Sequence, residues 1–163
     1  MIVIADTSVV LNLCCVEQVG LLAQLFRRVL VPAEVAAEFA RLAAREQRFA
    51  SLAMPDWIEV LPWPQTIPPE IAAAGLDAGE TAAITLCLSA AADALLIDET
   101  LGREVAARLG IRVIGILGVL LEAKRRGLVP AVRRILDRLE SEAGFWVSPR
   151  LRARVLSLAG EQP

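Results

Sequence analysis

The first eight residues constrain the fold most, because the apolar run Ile2–Ala5 stops abruptly at Asp6, which two hydroxyl side chains follow. A strand of a parallel sheet is covered on both faces, so it is continuously apolar until it emerges at its carboxyl end. The same arrangement recurs where Ala94–Ile97 runs into Asp98. If both strands belong to one parallel sheet, both acids lie at the same edge, which is where ligands of open α/β sheets bind. The sequence therefore predicts an acidic site at one edge of a sheet.

Strand and helix patterns alternate along the rest of the chain. We predict further strands at 28–31, 57–61 and 111–114, and helices at 8–16, 19–26, 32–44, 76–92, 100–109, 119–126, 129–142 and 150–158. The proline-rich stretch 62–69 is expected to be a surface loop. Short strand–helix units with tight connections are typical of a parallel sheet covered by helices on both sides. We predict an α/β fold, a three-layer α/β/α sandwich with a mainly parallel central sheet, as one domain over residues 1–163.

Composition excludes several classes of protein. The chain has no histidine and no tyrosine, which removes the Ser-His-Asp arrangement and imidazole acid/base catalysis. Its three cysteines, Cys14, Cys15 and Cys87, match neither a disulfide framework nor a zinc ribbon, and we interpret them as small core residues. The longest apolar runs fall short of the ~18 residues that span a bilayer, and no basic region precedes an apolar one at the N-terminus. We expect a soluble, cytoplasmic protein that does not contact a membrane.

Charge is distributed unevenly along the chain. Residues 1–100 carry thirteen acids and five bases, whereas residues 101–163 carry six acids and twelve bases, nearly all of them arginine. Because arginine pairs well with phosphate oxygens, an acidic site beside a basic half is consistent with a polyanionic substrate. The alternative is that these arginines only solvate exposed helix faces.

Several acids of the chain would meet at the predicted site. Crowded carboxylates repel one another and raise one another's pKa unless a cation compensates. Magnesium and manganese prefer oxygen ligands, and such ions can activate water and neutralise charge on a phosphodiester. The candidate acids are Asp6, Glu38, Glu80 and Asp98, with Glu99 as a fifth.

Each of these acids also has a structural interpretation. The two aspartates at strand ends would cap the helices that follow them. Glu80 lies three residues after Asp77, as in a capping box. Glu38 would be a solvated helix residue paired with Arg41 or Arg45.

Taken together, the motifs resemble the PIN-domain ribonucleases, and among them the VapC-like toxins of bacteria and archaea. The similarity covers about residues 1–130, and the predicted helices over 129–158 match no known motif. The residues that carry it are the strand ending at Asp6-Thr7-Ser8, the helix that begins at Val31-Pro32 and bears Glu38, Leu76-Asp77-Ala78-Gly79-Glu80, Leu96-Ile97-Asp98-Glu99 and the segment Gly102–Leu128.

The resemblance implies a Mg²⁺- or Mn²⁺-dependent endoribonuclease that hydrolyses RNA phosphodiesters, often as a homodimer and often inhibited by an antitoxin protein. The residues that match the catalytic, metal-binding acids are Asp6, Glu38, Glu80 and Asp98. Thr7, Ser8 and Glu99 match supporting positions. We expect Arg103, Arg125 and Arg126 to contact the RNA backbone.

Three alternatives stay open. The first is a catalytically inactive PIN-fold module that binds a partner protein. The second is a phosphatase with Asp6 as nucleophile, although such enzymes usually carry a second aspartate where this chain has Ser8. The third is a receiver-like signalling domain, whose adjacent pair of acids after the first strand this chain lacks.

Overall fold

The computed structural model describes residues 1–162, and a five-stranded sheet forms its centre. The strands are β1 (Ile2–Ala5), β2 (Arg28–Pro32), β3 (Glu59–Leu61), β4 (Ala94–Leu96) and β5 (Val113–Ile114). Their order in the sheet is β3-β2-β1-β4-β5, and all four neighbouring pairs are parallel. Ala5 pairs with Leu96, so β1 and β4 end side by side. The prediction of a mainly parallel sheet is confirmed.

Helices cover both faces of this sheet. They are α1 (Thr7–Cys15), α2 (Gly20–Leu25), α3 (Ala33–Arg45), α4 (Pro69–Ala72), α5 (Ala78–Ser89), α6 (Thr100–Arg108), α7 (Ile116–Arg125), α8 (Val132–Arg138) and α9 (Pro149–Leu158). A 3₁₀ turn (Gln47–Phe49) follows α3, and a π-helical turn (Leu139–Ala143) follows α8. Among the described residues, none of the helices is both long and apolar enough to cross a membrane.

Side chains of each central strand alternate between two separate hydrophobic cores. Val3 and Ala5 belong to a core built with α1, α2, α3, α7, α8 and α9, whereas Ile4 belongs to a core built with α4, α5 and α6. All three side chains are fully buried, and burying a side chain such as Ile4 contributes roughly 1.5–3 kcal/mol. Cys14 lies in the first core and Cys87 in the second, as their interpretation as small core residues requires. The predicted three-layer α/β/α sandwich is confirmed.

Several element boundaries differ from the prediction. Helix α4 begins at Pro69, inside the predicted loop, because proline is tolerated at the first helical position, where its missing N–H would have no partner. Helix α7 begins at Ile116, three residues earlier than the predicted 119. The predicted helix over 129–142 begins only at Val132 and ends in the π-helical turn, which Gly144 closes with a φ of 70°. These differences lie around the sheet and leave its order unaffected.

Candidate active site

Two aspartates lie at the carboxyl ends of the neighbouring strands β1 and β4. The backbone N–H of Asp6 donates to the carbonyl oxygen of Leu96 at 2.9 Å. Asp6 therefore still hydrogen-bonds to β4, although it lies directly after the end of β1. Asp6 and Asp98 both line a cleft of about 460 Å³. The Asp6 side chain is almost buried, with 5% of the residue exposed. The parallel sheet therefore brings the two predicted acids to one edge.

Glu38 reaches the same cleft from the second turn of α3. The Thr7 hydroxyl donates to Glu38 Oε2 at 2.5 Å, and the Ser8 hydroxyl donates to Asp6 Oδ2 at 3.4 Å. The two hydroxyl groups that follow the first acid thus hold the carboxylates of two different acids. Glu38 forms no salt bridge with an arginine of its own helix anywhere in residues 1–162, so its interpretation as a solvated, paired residue is wrong.

Glu80 begins α5 and forms the expected capping box with Asp77. The Glu80 N–H donates to Asp77 Oδ1 at 2.8 Å, and Glu80 Oε2 accepts from the Asp77 N–H at 3.1 Å. The other carboxylate oxygen, Oε1, is buried and has no hydrogen-bond partner among the described residues. Leaving a buried polar atom unsatisfied costs about 1–3 kcal/mol. One carboxylate oxygen of Glu80 therefore stabilises the start of α5, while the other is buried without a hydrogen-bond donor among the described residues.

Asp98 caps α7, and the expectation that it caps the helix directly after its strand is wrong. Its Oδ1 and Oδ2 accept from the Ile116 N–H at 3.1 and 3.3 Å. Gly115 makes this approach possible, because a Cβ there would lie 2.5 Å from Asp98 Oδ1 and 3.0 Å from Arg103 Nη1. Arg103 also donates to the carbonyl oxygen of Ile97 at 2.9 Å. The guanidinium of Arg103 is thus fixed beside Asp98.

Burial and neighbouring charge act together on Asp6. Burial raises the pKa of its carboxyl group from 3.8 to about 7, and the backbone N–H of Thr7 opposes this by hydrogen bonding. The charged groups that act on this pKa are all acids and raise it further: Asp77, Glu80 and Glu38. Asp6 is therefore close to half-protonated at neutral pH unless a cation enters the cleft.

Two further acids of the cleft are shifted in the same direction. Burial raises the pKa of Asp98 from 3.8 to about 6, although the Ile116 N–H and the Arg103 guanidinium both lower it. Burial also raises the pKa of Glu80. A raised pKa means that the folded protein stabilises the negative charge of the carboxylate less well than water does.

The donor atoms of the cleft suit a hard divalent cation, because carboxylate and hydroxyl oxygens are the ligands such ions prefer. Within residues 1–162, however, no group of three or more acidic or cysteine side chains is arranged to hold a metal ion. Each of the four acids has at least one oxygen that accepts a hydrogen bond from a neighbouring N–H or O–H. A cation would stabilise both the unpartnered Glu80 Oε1 and the raised-pKa carboxylate of Asp6. The donor set therefore fits Mg²⁺ or Mn²⁺ in chemistry, and the carboxylates would have to draw together to bind one.

The remaining predicted site residues fall into two places. Glu99 lines the acidic cleft at the N-cap position of α6, where its side chain is exposed and makes no capping hydrogen bond. Arg125 and Arg126 lie at the end of α7, outside this cleft, and both form salt bridges with Glu122, at 2.6 and 2.7 Å. Two of the three arginines expected to contact RNA thus already form salt bridges with a neighbouring residue of α7.

Several residues that line the cleft are not among the predicted site residues, and Asp77, Arg48 and Trp146 are three of them. The sequence pattern indicates Asp77 only as a helix cap. Arg48 Nη1 donates to the carbonyl oxygen of Ala143 at 3.0 Å, a contact between positions 95 residues apart in the chain. The Trp146 residue is 78% exposed. Nothing local in the sequence marks Arg48 or Trp146, because only the tertiary fold brings their segments to the acids.

Comparison with known families agrees with this geometry. A family model described as "DUF3368: PIN domain" matches residues 2–161 and so includes the C-terminal helices that the sequence resemblance left out. No curated protein matches the chain. PIN domains are generally nucleases, and PIN nucleases generally use divalent metals. With a parallel α/β/α sandwich, acids gathered at the carboxyl edge of its sheet and a match over nearly its whole length, the chain belongs to the PIN-domain family.

Proposed function

We propose that this protein is a metal-dependent endoribonuclease that hydrolyses RNA phosphodiesters with Mg²⁺ or Mn²⁺. One observation carries the proposal: a single cleft is lined by all four acids predicted as ligands, which are Asp6, Glu38, Glu80 and Asp98. The raised pKa values of Asp6, Glu80 and Asp98 and the unpartnered oxygen of Glu80 are expected of a cluster of carboxylates that binds a cation.

The residues of the chain would divide the work as follows. When bound, the ion would neutralise charge on the scissile phosphodiester and lower the pKa of water. Thr7 would position the Glu38 carboxylate through its hydrogen bond, and the Ile116 N–H would do the same for Asp98. Asp6, with its pKa of about 7, would have to lose its proton before the site could hold a cation.

We also propose that the protein is the toxin of a toxin–antitoxin pair, acting as a homodimer and inhibited by an antitoxin protein. Support comes from the motifs over residues 1–130, which resemble those of VapC-like toxins. Induced expression should then arrest bacterial growth with the wild type but not with Asp6→Asn. Arrest by both forms at equal protein levels would contradict the toxin role.

The second candidate function is an inactive PIN-fold module that binds a partner protein. The observation that favours it is that two of the four acids already have a role in the fold: Glu80 belongs to the capping box at α5, and Asp98 caps α7. Metal-dependent chemistry separates the two candidates.

The deciding experiment measures cleavage of labelled RNA in the presence of Mn²⁺. We expect Asp6→Asn and Asp98→Asn each to lower the rate about a hundredfold or more, the scale of losing one group that stabilises charge at a reaction centre. Asp56→Asn, an exposed aspartate outside the cleft, serves as the matched control. Circular dichroism and thermal melting establish that the variants fold. Cleavage that survives both substitutions, or no Mn²⁺-dependent cleavage at all, would favour the inactive module.

A further inference from the structure

A second, larger groove of about 1230 Å³ adjoins the acidic cleft. The two cavities share three lining residues: Asp98, Phe145 and Trp146. Residues of the edge strand β5 and of helices α7 and α9 form its walls, and it extends to Met1. A chain-like ligand that enters the acidic cleft therefore has a continuous path into this second groove.

The charge of the groove is positive. Five arginines and two acids line it. One of the acids, Glu122, is paired with Arg125 and Arg126, and the other is the aspartate that caps α7. Arg112 and Arg154 are exposed and have no acidic partner within residues 1–162. These two guanidinium groups are therefore available to pair with phosphate.

An exposed indole stands where the groove meets the cleft. Trp146 is 78% exposed, more than any other large hydrophobic residue among those described. Its segment is nevertheless anchored: the Phe145 N–H donates to the carbonyl oxygen of Leu139 at 2.9 Å, Arg48 holds the carbonyl oxygen of Ala143, and the residue after Trp146 is buried. An exposed aromatic ring on an anchored segment beside positive charge provides a stacking surface for a nucleobase.

We propose that the groove binds the single-stranded part of an RNA substrate next to the scissile phosphate, with one base stacked on Trp146 and phosphates paired with Arg112 and Arg154. This inference rests on the proposed ribonuclease function and adds the residues that position the substrate. The excess of arginine and the opening into the acidic cleft favour a polyanion over a second copy of the chain. A single strand is required because a base must be unpaired to stack on an indole.

The first test measures RNA binding by fluorescence anisotropy. The probe is a fluorescein-labelled single strand of about ten nucleotides, within the range of known single-strand sites, and EDTA prevents cleavage. Trp146→Ala should weaken binding about tenfold or more, the size of one lost base–aromatic stack, whereas Trp146→Phe should restore most of it. Trp63→Ala is the matched control, because Trp63 is 39% exposed but lies outside both cavities.

The second test uses the salt dependence of the same binding. Each phosphate neutralised on a single strand contributes about 0.7 to the slope of log affinity against log salt concentration. The double variant Arg112→Ala/Arg154→Ala should therefore have a slope smaller by about 1.4. Arg134→Ala, an exposed arginine of α8 outside both cavities, should keep the wild-type slope.

Three results would overturn the inference. They are wild-type affinity in Trp146→Ala, equal affinity for a duplex of the same sequence, and an oligomeric state that Trp146→Ala changes while RNA binding persists. The last result would assign the groove to a second copy of the chain.

A different result would contradict the proposed ribonuclease function. If the wild type binds RNA through Trp146 but never cleaves it with Mn²⁺, the RNA-binding role of the groove stands and the ribonuclease function does not. If the wild type cleaves RNA and Trp146→Ala has an unchanged KM, the nuclease stands and the groove inference does not.

Discussion

Asp6 combines near-complete burial with three acidic neighbours, so its negative charge opposes folding. In the unfolded chain its pKa is near 3.8, and in the folded protein it is about 7. Between these values the native state binds more protons than the unfolded state, so the free energy of unfolding falls as pH rises. The contribution of this proton is complete below the unfolded pKa and is lost as pH rises through the folded pKa.

Replacing Asp6 by asparagine should therefore remove part of the pH dependence of stability. The loss in the wild type amounts to at most about 4 kcal/mol, from a shift of roughly three units at 1.36 kcal/mol each. We expect urea unfolding in EDTA to show the wild type losing stability between about pH 4 and about pH 7, and Asp6→Asn losing much less. Asp56→Asn should behave as the wild type does. If the free energy of unfolding depends on pH equally in the wild type and in Asp6→Asn, burial of the Asp6 carboxylate does not destabilise the fold as inferred.

At the scale of elements, hydrogen bonds at the N-termini of α5 and α7 fix the positions of acids of the cleft. Asp77 and Glu80 cap each other at α5, and Asp98 reaches across to the first N–H of α7. Glycines permit the close approaches, since a Cβ at Gly79 would lie 3.1 Å from Glu38 Oε2. Stability and site geometry therefore depend on the same hydrogen bonds.

Gly115→Ala should disturb the site without removing any acid. The new methyl group would lie 2.5 Å from Asp98 Oδ1, so the carboxylate must move away from the Ile116 N–H. Loss of this cap should cost about 1 kcal/mol of unfolding free energy, and RNA cleavage should fall because Asp98 is displaced. Gly20→Ala is the control, because nothing lies within 4 Å of a Cβ there. Urea unfolding and the cleavage assay check both effects, and wild-type values for both would show that Asp98 does not depend on this close approach.

The sequence predicts those parts of the fold and of the candidate site that depend on local pattern. Buried parallel strands are apolar on both faces and end at an acid, which is why the positions of Asp6 and Asp98 were predictable. The cap that Asp98 forms spans 18 residues and joins two elements, and no local pattern encodes it. The same holds for Trp146, which depends on how the C-terminal helices pack, and for the start of α4 at Pro69, where proline indicates either a loop or a first helical turn.

At the scale of the whole molecule, strand order explains where the cleft lies. From β1 the chain builds β2 and β3 on one side of the sheet and then crosses to build β4 and β5 on the other. The gap between β1 and β4 is therefore the point where the winding direction changes, and in open α/β sheets ligands bind outside the carboxyl ends of the strands there. Asp6 and Asp98 occupy that position, and the basic groove continues from it along β5.

Mn²⁺ should stabilise the whole fold, and it should do so more strongly at higher pH. An ion that binds only the native state raises the free energy of unfolding by RT ln(1 + [L]/Kd). Binding needs deprotonated carboxylates, and the pKa of Asp6 is about 7. We therefore expect Mn²⁺ to raise the melting temperature of the wild type more at about pH 8 than at about pH 6. Asp6→Asn should lose most of this increase, whereas Asp56→Asn should keep it. Calorimetric titration of Mn²⁺ into the same proteins measures binding directly. An increase that is equal at both pH values, or that Asp6→Asn retains, would place the metal outside the acidic cleft.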